Sequence, residues 1–301
     1  MQKLKDIFNI LKQTFKEFSD DRVMKMSASL TYYAMFSLSP VLLIVLSLAS
    51  LFYKKEAVEN RLYYEIKELV GSDVALQIQN FVTNSTVSGD SNLVLIIGLG
   101  VLIFGATTMF TDMQDSLNLI WKIEADPQKA FVKFLINRGI SFLFIMVLGL
   151  LLFASVIASS ILKRFGEEVF SLLMIDQTIS SSTFLLLNNI LSFLLAVLIF
   201  FLLFKFLPDI RVSYKPVLLG AIVTSCFFVL AKYFIGYYLS ISKYNAIFGS
   251  AGSIVILLMY IYYNATIMYF GAKFTKVFAE YYKYPIKPNR IAKRRKVLIT
   301  E

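Results

Sequence analysis

The chain has 301 residues, 57% of them hydrophobic, and carries 30 Lys plus Arg against 20 Asp plus Glu, for a formal net charge of +10. Histidine is absent and Cys226 is the only cysteine, which excludes His-based triads, zinc sites built on Cys or His, and intramolecular disulfides. All twenty acids lie outside the long apolar stretches and none forms an Asp-x-Asp pair, so a carboxylate metal site is open only in principle and no catalytic residue, metal or cofactor is indicated.

The first feature in chain order is a helix over residues 3–18, in which Leu4, Ile7, Phe8, Leu11, Phe15 and Phe18 form a stripe away from Lys3, Lys5, Lys12 and Lys16. The pattern fits a helix lying in the membrane interface, and equally one packed on the ends of a helical bundle. Six stretches almost free of charge follow, at about 28–53, 93–111, 139–162, 184–207, 217–239 and 253–278. Each is near or above the ~20 apolar residues an α-helix needs to cross a ~30 Å hydrocarbon core. The predicted fold class is all-α: a polytopic membrane protein of six transmembrane helices with short amphipathic interfacial helices. One membrane domain covers 1–282 and a basic tail covers 283–301. The first span is too long for the core of a cleavable signal peptide and no small-residue cleavage site follows it, so it is expected to remain as an anchor.

Laying charge over these spans gives an orientation. With the N-terminus inside, 22 basic residues fall on inner segments and 7 on outer ones, with Lys232 inside a span. The positive-inside rule then places both termini in the cytoplasm. The outer segment 54–92 reads as two short amphipathic helices, Val58, Leu62, Ile66, Leu69 and then Val74, Ile78, Phe81, capping the outer mouth. On the inner side Met113, Leu117, Ile120 and Trp121 recur at helical spacing, and Asp126-Pro127 signals the start of another helix. Trp121, the only tryptophan, is expected to act as an interfacial anchor at headgroup level. The tail from about Lys283 reads as mobile, with Lys293 to Lys296 drawn to anionic lipid headgroups rather than to nucleic acid.

A few polar residues interrupt the apolar pattern. In the first span Ser29, Tyr33 and Ser37 share one face by their four-residue spacing, and Pro40 removes a backbone donor, which implies a helix kink. This is either a hydroxyl-rich packing seam or the lining of a polar cavity. Lys232 costs at least ~2.5 kcal/mol deep in an apolar helix unless relieved. It lies seven residues, ~10 Å, from the end of its span, so it either snorkels or pairs with a helix, or it shares a pocket with Asn188 and Asn189 at similar depth. Tyr260 and Asn264 are one turn apart in the sixth span, where an Asn commonly makes an interhelical hydrogen bond. Thr108, Asp112 and Asp115 fall on one face of the second helix and are expected to meet Lys or Arg at the interface.

The string from Ala28 to Pro40 resembles the opening signature of the YihY, or virulence factor BrkB, family of bacterial inner-membrane proteins. Leu117 to Trp121, Leu207-Pro208, Gly220-Ala221, Tyr244 and Phe248 to Ser250 extend the resemblance over nearly the whole chain. The family implies six helices and a location in the bacterial cytoplasmic membrane, and it supplies no agreed catalytic residues. Its historical label of ribonuclease BN finds no physical support in a chain without His or clustered carboxylates. The expectation is a non-enzymatic transporter or flippase-like protein handling lipid or an amphiphilic anion in envelope homeostasis. The alternative is a scaffold that docks envelope machinery through residues 54–92. Expected partners are membrane lipids, an envelope protein and a second copy of the chain.

Overall fold

The computed structural model describes residues 2–50, 92–125, 130–172, 177–241, 252–289 and 292–294. Among the described residues seven long helices dominate: α1 (Gln2–Asp20), α2 (Val23–Ser50), α3 (Asn92–Ile120), α4 (Ala130–Leu172), α5 (Gln177–Phe206), α6 (Tyr214–Ile241) and α7 (Gly252–Tyr281). A helix satisfies its backbone groups within one segment, which is what an apolar stretch in lipid requires. Among the described residues, four stretches are long and apolar enough to cross a membrane: Val132–Ser155, Leu186–Phe206, Tyr214–Ala231 and Val255–Tyr281. The helix α2 runs without interruption through Pro40. The expected outer helices within 54–91, the Asp126-Pro127 start signal, Tyr244 and Phe248 to Ser250 lie outside the described residues.

From α2 onward each helix packs against the next, and α7 returns to α2, so the six form a closed ring; inside it α2 also meets α4, and α3 meets α7. A reciprocal notch holds α6 against α7. A Cβ built on Gly220 would lie 1.8 Å from the Thr275 hydroxyl oxygen, and one built on Gly271 would lie 1.8 Å from that of Thr224. Each threonine donates its hydroxyl hydrogen to the glycine carbonyl four residues earlier on its own helix, at 2.6 Å for Thr224 and 2.8 Å for Thr275. The polar atoms are thus satisfied within each helix, and the missing glycine side chains let the antiparallel backbones close together.

At one end of the ring a compact base forms. Leu117, Ile120, Trp121, Leu203, Phe204, Leu207, Ile210 and Val217 are buried in one cluster there. Two short antiparallel strand pairs cover it: β1 (Ile123–Ala125) with β4 (Ala292–Arg294), and β2 (Ile210–Arg211) with β3 (Lys287–Pro288). Part of the tail, which composition suggests is mobile from about Lys283, thus forms one strand of each pair: Lys287–Pro288 pairs with β2 and Ala292–Arg294 with β1. Tyr284 and Ile286 pack on the core, contacts that a count of basic residues does not reveal. Trp121 is 4% exposed, so its ring is enclosed by protein rather than presented to headgroups.

The N-terminal helix docks on α7. Its packed face is Ile10, Thr14 and Glu17, continued by Asp21 just past its end, with Ile10 buried against Phe274 and Val277. Of the apolar stripe expected from the sequence, Leu11 and Phe18 pack on the core and the Phe15 and Phe18 rings meet Phe270 of α7 at 4.9 and 5.8 Å, while Ile7, Phe8 and the outer side of Phe15 remain exposed. A periodicity search finds the wider stripe and misses the narrow one, because two of its four members are acids.

Candidate functional site

The helix α3 is the organising element. Its turns from Gly105 to Asn118 present a row of polar groups to α2, α4, α7 and the α5–α6 turn.

At the base, the turn after α5 places Asp209 at 2% exposure. Its carboxylate accepts hydrogen bonds from Asn118 Nδ2 at 2.9 Å and Gln114 Nε2 at 3.2 Å, and pairs with Lys133 Nζ of α4 at 3.1 Å. The Asp209 amide donates to Asn118 Oδ1 at 2.7 Å, so one asparagine clamps the residue from both sides. Asp209 is the only acid between Gln177 and Ile241, and that isolation is the signal in the sequence that points to it. The cluster joins three parts of the chain, with the Asp115 carboxylate also near enough to interact with Lys133 and Asp209, which suits a fixed structural anchor.

Along the ring seam the groups are less completely matched. The Ser29 hydroxyl of α2 donates to Asp112 Oδ1 at 2.8 Å, while the second carboxylate oxygen of Asp112 is buried with no hydrogen-bond partner. Burial raises the Asp112 pKa above the ordinary carboxylate value; the Ser29 hydrogen bond opposes this and the charge of Asp115 adds to it. Ser37 donates to the Gly105 carbonyl at 2.7 Å. The buried Tyr269 hydroxyl of α7 lies beside Ser116 and near the carboxylates of Asp112 and Asp115.

Arg138 of α4 completes the seam. It lies within the apolar stretch Val132–Ser155, and its guanidinium donates to Thr107 Oγ1 at 2.6 Å, Thr108 Oγ1 at 3.3 Å and the Phe104 carbonyl at 3.1 Å. It also sits 4.0 Å from the Phe104 ring centroid. Hydroxyls, a carbonyl and an aromatic face stabilise a cation but do not cancel its charge. Among the described residues no carboxylate pairs with Arg138, and its Nε is buried without a partner. Sequence reasoning counts Arg138 only as one more inner cation, since it stands one residue before the expected start of its span.

The other expected cavity residues are dispersed. Ser29 and Ser37 face α3, whereas Tyr33 is exposed beside Tyr32. The Asn264 side chain donates to the Tyr260 carbonyl of its own helix at 2.7 Å. Asn188 is partly covered and Asn189 exposed on α5. Lys232 belongs to α6, and its side chain lies outside the described residues.

The sequence pieces that carry the family resemblance meet here: Ser29 and Ser37 on α3, Asn118 on Asp209 after Pro208, and Gly220 in the notch. A profile of the family described as Virulence factor BrkB matches residues 14–296. A UPF0761 membrane protein of Aeromonas salmonicida is 28% identical over 89% of this chain and 88% of its own length. Another from Photobacterium profundum is 25% identical over 93% of this chain and 84% of its own. A third, from Saccharophagus degradans, is 25% identical over 88% of this chain, which spans only 58% of that relative. No solved structure matches. With a profile that runs from the N-terminal helix to the strands of the tail, the chain belongs to the virulence factor BrkB family of membrane proteins.

Proposed function

We propose that this protein is a transporter or flippase-like protein of the bacterial cytoplasmic membrane that handles lipid or an amphiphilic anion, with six crossings and both termini in the cytoplasm. The observation that carries the reading is Arg138: a cation placed inside an apolar stretch, held by three acceptors, with no carboxylate on it among the described residues. An intramembrane charge is costly, and one left without a counter-ion suits a passing anion. Asp112, with one buried oxygen free of hydrogen bonds, adds a group able to take a proton at the same seam. The reading is one of binding and passage rather than catalysis: among the described residues, Arg138 meets only hydroxyls, a carbonyl and an aromatic ring.

The test is reconstitution into liposomes with a fluorescent short-chain anionic phospholipid, compared between the native chain and Arg138→Met. The reading expects movement above protein-free vesicles and a loss of about tenfold or more in the variant, the ~1.4 kcal/mol or greater effect of one lost charge-assisted contact. Equal rates in the two proteins, with both folded, contradict it.

A further inference from the structure

A second feature lies on the outer surface of the ring, away from the seam. An open cleft of about 390 Å³ runs between α5 and α6, lined by Leu194, Val197, Leu198, Phe201, Leu218 and, at its closed end, Tyr214 with Lys215. The four α5 residues follow helical spacing and so form one apolar wall. Both helices belong to stretches able to cross a membrane, which turns this cleft toward hydrocarbon rather than water. Leu187, Ile190 and Ile222, all exposed, continue the apolar strip away from the closed end.

The closed end is cationic. Lys215 is exposed and makes no ion pair among the described residues. Lys205 sits 4.0 Å from the Tyr214 ring centroid, and that ring stacks on Phe201 with centroids 6.3 Å apart. Arg211 is exposed in the same turn. The one acid of this turn, Asp209, is buried and paired with Lys133; Lys205 donates to the Val212 carbonyl and Arg211 to Asn289 Oδ1 at 3.4 Å, and among the described residues no carboxylate pairs with Lys205, Arg211 or Lys215.

We propose that the α5–α6 cleft is a binding site for one anionic glycerophospholipid, with an acyl chain along Leu194, Leu198 and Leu218 and the phosphate at Lys215, Lys205 and Arg211. Complementary charge commits the site to this occupant: a zwitterionic lipid fits the wall equally well but gains less at the closed end. The site does not depend on Arg138 or on any transport, and a protein that moves nothing still holds this lipid.

Native mass spectrometry of the full chain, in micelles supplied with equal phosphatidylglycerol and phosphatidylcholine, reads the preference. The site predicts a phosphatidylglycerol adduct favoured over phosphatidylcholine, and a preference reduced about fivefold in Lys215→Gln, the effect of ~1 kcal/mol per basic residue near an anionic headgroup. Photolabelling the native chain with a diazirine-bearing phosphatidylglycerol needs no variant, and labels concentrated on Leu194 to Phe201 and Leu218 support the site. No lipid preference in the native chain, a preference unchanged in Lys215→Gln, or labels spread evenly around the ring overturn it.

Discussion

Asp209 and Glu17 are both acids met by lysines, but they differ in how water reaches them. Asp209 is closed off, so replacing it with Ala strands Lys133 at a buried position together with the Asn118 and Gln114 amides. Asp209→Ala is expected to cost about 3–5 kcal/mol, seen as a lower melting temperature in detergent, whereas Asp209→Leu combined with Lys133→Met costs less than the sum of the two single changes. Glu17 sits on the rim between α1 and α7. Burial works against its charge, but the hydrogen bond and charge of Lys276, with the charge of Lys273, outweigh it and bring its pKa from 4.5 down to about 2. A depressed carboxylate contributes stability that is complete above the unfolded pKa and disappears as pH falls through the folded one. The hold of α1 on α7 should therefore be full above pH 4.5 and fade toward pH 2, as followed by hydrogen exchange of the α1 amides. Exchange that is flat across that range contradicts the assignment. Three further basic residues, Arg22, Lys122 and Lys283, occupy left-handed turns with φ of 51°, 55° and 56°, where glycine is less strained. Each follows a helix that ends at the base, and each is exposed, which places positive charge around that end of the ring.

Between helices, the α6–α7 notch makes the firmest prediction. A methyl group on Gly271 meets the Thr224 hydroxyl at 1.8 Å and its Cβ at 2.8 Å, so one helix must move. Gly271→Ala is expected to destabilise by about 1–3 kcal/mol, and Thr224→Ala in the same chain should recover part of the loss. A melting temperature unchanged by Gly271→Ala contradicts the close approach. Helix existence was legible in the sequence, since length and lack of charge are sufficient for it, and each of α2 to α7 covers most of one expected apolar stretch. Pairing was not legible. Gly220 was visible as part of a family string, but only the fold shows that Thr275 fills its notch. The α1 stripe likewise marked a helix and part of its packing face, since Leu11, Phe15 and Phe18 pack on the bundle, but not the acidic side of that face, which ion pairs with Lys273 and Lys276 select.

Across the whole molecule, the ring separates two kinds of polar group. The base, with Asp209 clamped by Asn118, Gln114 and Lys133 and with the folded-back strands, holds the helices in register, although Gln114 Oε1 and Trp121 Nε1 are buried there without a hydrogen-bond partner. The seam of α2, α3, α4 and α7 is incompletely matched at Asp112 and Arg138. Composition exposed the lysine in α6 as the outstanding charge. It could not rank Arg138 above other inner cations, because a charge at a span boundary looks the same whether it faces headgroups or a neighbouring helix.

Thiol accessibility measures directly whether this seam admits an anion to Arg138. Cys226 is the only cysteine and is exposed, so Cys226→Ser supplies a blank background into which Thr108→Cys is introduced beside Arg138. In native membranes an anionic thiol reagent is expected to modify position 108, about tenfold faster than a cationic reagent of equal size, as a cationic seam focuses negative ligands. A seam closed to both reagents contradicts the account and favours a sealed bundle acting as a scaffold.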